Sequence, residues 1–86
     1  MKEVELTITN PTGLHTRPGT EFVQLAKKFQ SDVTIRKGDK EANAKSLIKM
    51  MKIGISCNDA ISLIVSGDDE QEAIDALTDY IVNLKE

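Results

Sequence analysis

The chain is poor in the groups that most often announce a function. Its 86 residues include one cysteine, Cys57, and one histidine, His15. A lone thiol excludes an internal disulfide, and neither side chain has companions at metal-ligand spacing. No metal site and no cofactor is expected, and Cys57 reads as a small exposed or half-buried thiol. Tryptophan is absent, and the three aromatics (Phe22, Phe29 and Tyr80) fall in segments that read as helical. A sheet that stacks bases needs aromatics on its strands, so a small RNA-binding module lacks its platform. Positive charge is also short: 11 Lys and Arg stand against 14 Asp and Glu, a net charge of -3. Phosphate-backbone binding usually needs a basic surface, so nucleic acid is not the expected partner. No apolar run approaches the roughly 20 residues that a membrane span requires. "MKEVELTITN" holds no apolar core of signal-peptide length. A cytoplasmic chain with no membrane insertion is the expectation.

What is present describes one small globular domain over residues 1–86, with 40% apolar and 29% charged residues. "VELTITN" alternates Val4, Leu6 and Ile8 with polar residues, a half-buried strand. "NPTG" ends it in a turn. Phe22, Val23, Leu25, Ala26 and Phe29 recur at three and four, predicting a helix over 16–29. "SDVTIRKGDKEANA" reads as strand, tight turn and strand. "KSLIKMMKIG" reads as a short helix with Ser46 as N-cap and Gly54 past its end. "AISLIVSG" is a β-branched strand. The tail "DDEQEAIDALTDYIVNLKE" is a helix whose Asp69 and Glu72 resemble a capping box. The order is βαββαβα, most economically one antiparallel sheet with helices on one face. The acidic residues Asp68, Asp69, Glu70, Glu72, Asp75 and Asp79 read as a solvated face.

His15 stands out by its place. In "GLHTRPG" Pro18 must lie in the first turn of a helix. The residue before a proline avoids the α region, which favours Arg17 as N-cap. His15 or Thr16 fits equally well. In every register His15 lies at or just before a helix N-terminus, where orphan N–H groups and the macrodipole attract anions. Arg17 adds a fixed positive charge. A neutral imidazole is a nucleophile, and a phosphoryl group on it would carry its charge into the first turn.

The segments "NPTGLHTRPGTEFVQLAKKF", "AKSLIKMMKIGI" and "GDDEQEAIDALTDYI" together resemble the HPr family, the histidine phosphocarriers of the bacterial sugar phosphotransferase system. The resemblance covers essentially the whole chain, in order. It implies an α+β open-faced β-sandwich: a four-stranded antiparallel sheet covered on one face by three helices. It implies that His15 accepts a phosphoryl group on Nδ1 from phosphorylated Enzyme I and passes it to IIA domains of sugar permeases. Arg17 would then stabilise the group, and Thr16 would lend its backbone N–H. The chain would be a covalent carrier rather than an enzyme, and a monomer. Gly19 departs from the pattern, since many members have Ala there. A glycine inside a helix costs up to about 1 kcal/mol relative to Ala.

Ser46 has a second implied role. In many Gram-positive members the matching serine is phosphorylated by a dedicated kinase, with a phosphorylase and a transcriptional regulator as further partners. Next to it, Leu47, Ile48, Met50 and Met51 are too many apolar groups for one narrow buried stripe. Leu47 and Met51, together with Ile48, are expected to form a docking patch. Lys45, Lys49 and Lys52 would ring it and attract acidic partner surfaces. The competing readings are a regulatory or nitrogen-branch paralogue of the same relay, and a small RNA- or metabolite-binding module.

Overall fold

The structure is a computed structural model that describes residues 1–85 (for Thr16 the backbone alone). Its elements are β1 (Lys2–Thr7), α1 (Thr16–Ala26), β2 (Asp32–Lys37), β3 (Lys40–Asn43), α2 (Leu47–Ile53), β4 (Ala60–Ser66) and α3 (Glu70–Val82). The expected βαββαβα order holds. The four strands form one sheet in the order β1-β4-β2-β3, and all three pairings are antiparallel.

Strand alternation separates the two faces of the sheet. Val4 lies opposite Leu63, Leu63 opposite Ile35, and Ile35 opposite Ala42, one apolar row across all four strands. Val33, Ile61 and Val65 extend this face, and the helices cover it with Phe22, Val23, Met50, Ile53, Ala73, Ile74, Leu77 and Ile81. Each large apolar side chain taken from water contributes about 1.5–3 kcal/mol before the entropy cost of ordering it. The opposite face carries the intervening residues and stays open. There Arg36 bridges Glu3 on β1 at 3.0 Å and Glu41 on β3 at 3.9 Å. These half-exposed ion pairs contribute little to stability. The fold is therefore an open-faced sandwich.

Three local expectations change. First, α1 ends at Ala26 rather than at Phe29. The last turn tightens through Lys28 N–H to Leu25 C=O (3.1 Å) and Phe29 N–H to Ala26 C=O (3.2 Å). Phe29 thus lies just past the helix, half-buried against the core. Its carbonyl accepts from Lys45 Nζ at 2.8 Å. Lys45 is consequently directed at the end of α1 and does not ring the patch on α2.

Second, Asp69 stands at the N-cap position of α3, but its side chain does not cap that helix. Its carboxylate accepts from Gln30 N–H (2.8 Å), Ser31 N–H (2.9 Å) and the Ser31 hydroxyl. These bonds hold Asp69 below the usual carboxylate range, the Ser31 hydroxyl foremost. Third, Glu70 takes over at the helix start. It accepts from Gly67 N–H at 3.1 Å and pairs with the N-terminal ammonium at 3.0 Å. That ammonium is the main cause of its lowered pKa. Asp69 and Glu70 are structural; Asp68, Glu72, Asp75 and Asp79 remain on the exposed surface as expected.

Candidate functional site

The segment between β1 and α1 delivers His15, and its backbone is held at several points. The buried Asn10 donates from Nδ2 to Gly13 C=O at 2.8 Å and to Thr12 Oγ1 at 3.4 Å. Gly13 adopts φ +64°, and a Cβ there would lie 2.7 Å from Ser56 Cα. Only glycine tolerates both that dihedral and that closeness. Leu14 is buried, and its N–H donates to Ile55 C=O at 3.1 Å. The next residue is His15.

His15 is the N-cap of α1, with extended backbone at φ -104° and ψ 157°. This resolves the open register: Thr16, Arg17 and Pro18 form the first helical turn. Pro18 is tolerated there because a first-turn N–H has no intrahelical partner to lose. Arg17 takes a helical conformation despite preceding proline, so tertiary packing outweighs its local preference. Tyr80 on α3 supplies part of that packing. Its hydroxyl donates to Pro18 C=O at 3.3 Å and lies 2.9 Å from Glu21 Oε1, while its ring stands 6.2 Å from that of Phe22.

The imidazole itself makes no capping hydrogen bond to the helix it starts, and it is half-buried. The ring therefore lies at the positive end of α1 without being engaged by it. Arg17 is exposed one turn position on. An anion near the ring would lie at the positive end of α1. Gly19 closes the same turn. A Cβ at this position would lie 2.6 Å from Leu14 C=O and 3.5 Å from Leu47 Cδ1. That contact places the start of α2 beside the start of α1, and it gives the departure from Ala a steric correlate.

On α2, Ser46 is the N-cap as expected. Its Oγ accepts from Lys49 N–H at 3.4 Å, and Gly54 closes the other end in the left-handed region at φ +75°. Met50 and Ile53 are buried. Ile48 is 70% exposed and Met51 42%, while Leu47 is half-buried beside Gly19. The apolar patch thus exists, but Ile48 rather than Leu47 is its most exposed member. Lys49 and Lys52 are exposed beside it. Cys57 is half-buried, its Sγ 3.7 Å from Thr9 C=O.

Residue-by-residue reading missed the supports of this site: Asn10, Tyr80, and the loop that offers Ile55 C=O. Only Asn10 had a local signal, as the first residue of an Asn-Pro turn. A groove of about 530 Å³ between β1 and α3 and another of about 330 Å³ between β3 and α2 are lined without His15. No group of three or more His, Cys, Asp and Glu residues among the described residues is placed to hold a metal ion. No described helix is long and apolar enough to cross a membrane.

These features define a class: a small α+β domain that presents one histidine at a helix start, beside an apolar patch. Comparison with known proteins narrows the class. The family described as "PTS HPr component phosphorylation site" matches residues 2–83. The chain belongs to the HPr family of phosphocarriers of the phosphotransferase system. It is 41% identical to phosphocarrier protein HPr of Buchnera aphidicola over 85 residues, 99% of this chain and all of that protein. It is 42% identical to the HPr-like protein Crh of Halalkalibacterium halodurans over 81 residues, 94% of this chain and 96% of that one. The crystal structure of HPr from Thermoanaerobacter tengcongensis overlays with a TM-score of 0.94 at 49% identity, covering 95% of this chain and 92% of that chain. An HPr dimer from the same organism overlays at 0.77.

Proposed function

We propose that the protein carries a phosphoryl group on His15, receiving it from phosphorylated Enzyme I and passing it to IIA domains of sugar permeases. One observation carries this reading: the only imidazole begins a helix without being engaged in capping it. In the forward step the neutral Nδ1 lone pair attacks phosphorus. A P–N bond forms to His15 as the bond to the donor breaks, and the donor keeps the electron pair. Arg17 and the first-turn N–H groups, Thr16 among them, meet the charge of the transferring group. The return step to a IIA domain is the same exchange reversed, so the protein is a carrier rather than an enzyme.

Ile48, Met51, Leu47 and Lys49 dock both partners. The carrier acts as a cytoplasmic monomer in this reading. Ser46 is the regulatory position. A phosphate there stabilises the start of α2 electrostatically but places negative charge at the docking patch. A kinase and phosphorylase acting on Ser46, and a transcriptional regulator that reads its state, complete the partners.

The similarity to Crh raises a regulatory paralogue as the alternative. His15 argues against those paralogues that carry serine at this position. Incubation with Enzyme I and phosphoenolpyruvate, followed by intact mass, tests the proposal. One acid-labile phosphoryl group is expected, and a chain that gains none is not this carrier.

A further inference from the structure

The loop between α2 and β4, residues 54–59, holds both ends of the segment that delivers His15. At the entry, Asn58 N–H donates to Ile8 C=O at 2.6 Å and Ile8 N–H donates to Asp59 C=O at 2.9 Å. At the exit, Leu14 N–H donates to Ile55 C=O at 3.1 Å. This loop contains two residues in the left-handed region, Gly54 at φ +75° and Asn58 at φ +76°. Asn58 is among the few non-glycine residues that adopt this region, which suits a tight turn.

Lys37, the last residue of β2, braces the loop from outside it. Its Nζ donates to Gly54 C=O at 2.8 Å and pairs with Asp59 Oδ2 at 2.8 Å. Asp59 Oδ2 also accepts from Ser56 N–H at 2.7 Å. One ammonium thus ties the first residue of the loop to the last. The side chains are 33% and 25% exposed, so the pair is better shielded than the ion pairs on the open face. The Lys37 hydrogen bond, then Ser56 N–H, hold the Asp59 carboxyl below its ordinary value.

We infer that Lys37 and Asp59 are positioning residues for His15: bracing residues 54–59 fixes the Ile55 carbonyl, which holds Leu14 and so sets the pose of the adjacent imidazole. They act through the backbone of residues 8–14 and not on the ring. The kinetic half of this inference rests on the phosphocarrier reading; the coupling to Leu14 does not.

The test compares the full chain with Lys37→Met, Lys37→Arg and Asp59→Asn. One readout is hydrogen exchange at Leu14 N–H, referenced to the core amide of Leu63. The other is steady-state transfer from Enzyme I and phosphoenolpyruvate. For Lys37→Met and Asp59→Asn, Leu14 is expected to exchange about tenfold faster relative to Leu63, and kcat to fall by about tenfold with KM held, because small misplacements of a reacting group are costly. Lys37→Arg should recover both, since a guanidinium can bridge the same two acceptors. The inference is overturned if Leu14 exchange rises only in step with Leu63 while transfer per folded molecule is unchanged; the pair would then serve stability alone. A wild type that accepts no phosphoryl group would remove the phosphocarrier reading, and the Leu14-to-Leu63 ratio would still decide the brace.

Discussion

α1 and α2 start side by side and differ in what their first residues do. Ser46 turns its hydroxyl onto Lys49 N–H and closes its own helix. His15 has the same backbone role and makes no such bond. The Ser46 oxygen already serves as a cap, so chemistry there acts on a group with a structural role. The imidazole has no such capping bond, and it stands at the positive end of its helix. The third start, at α3, shows another outcome: Asp69 gives its carboxylate to Gln30 and Ser31, far away in sequence. Three helix starts therefore separate into an uncapped start that carries the proposed acceptor, a local cap and a tertiary clamp.

Replacing His15 should produce the largest effect. His15→Ala removes the acceptor and no capping bond, so acid-labile phosphorylation should vanish while stability changes by less than about 0.5 kcal/mol. Residual labelling measured by intact mass would place the acceptor elsewhere and break the contrast between the two starts. Arg17→Ala comes next. Transfer should slow by roughly tenfold or more as the phosphoryl group loses a charge-assisted partner. Because Arg17 is exposed, the melting temperature should move by no more than about 3 °C. A large thermal shift with normal transfer would make Arg17 structural.

The clamp at α3 predicts a pH dependence of stability. Asp69 and Glu70 are both held below their ordinary values. A depressed folded pKa adds stability that is present above the unfolded value, about 3.9 for Asp and 4.3 for Glu, and lost as pH falls through the folded value. Asp69→Asn should therefore lower the melting temperature at pH 7, and the gap should narrow steadily below about pH 4. Thermal scans between pH 7 and pH 2.5 check this. A gap that stays constant over that range would show that the carboxylate charge does not hold the loop.

How legible all this was from the sequence follows from the range of the interactions. Element order, the sheet face carrying Val33 and Ile35, the Ser46 cap and the special place of His15 depend on neighbours within one or two turns, and periodicity exposes them. The end of α1 does not. The apolar spacing continues to Phe29, but Lys45, 16 residues on, takes the Phe29 carbonyl and the chain turns away. The Asp69–Glu72 pattern promised a capping box, yet Ser31, 38 residues earlier, offers Asp69 more donors than its own helix does. The Lys37–Asp59 brace lay equally beyond reach, because nothing local distinguishes it from surface charge. The resemblance to a family supplied roles for residues, whereas the packing supplied the reasons those residues sit where they do.

The smallest predicted effect tests the cap most sharply. Ser46→Ala removes one acceptor at a long 3.4 Å bond, and N-cap loss typically costs about 1 kcal/mol, so a loss of roughly 0.5–1 kcal/mol is expected. Ser46→Asp should keep stability, since aspartate caps well and its charge suits a helix start. The two variants should then diverge in transfer. The alanine leaves the patch of Ile48 and Met51 uncharged, and KM for Enzyme I should be unchanged. The aspartate adds one negative charge beside that patch, facing a partner that Lys49 and Lys52 would attract through acidic groups. KM should rise about threefold at low salt. Above about 0.1 M salt the Debye length falls to about 10 Å, and part of the rise should disappear. Denaturant unfolding and Enzyme I kinetics at two salt concentrations measure both halves. Unchanged KM for Ser46→Asp at both salts would place Ser46 outside the docking surface and leave it a cap alone. A salt-sensitive rise with intact stability would instead place docking charge and helix cap on one residue.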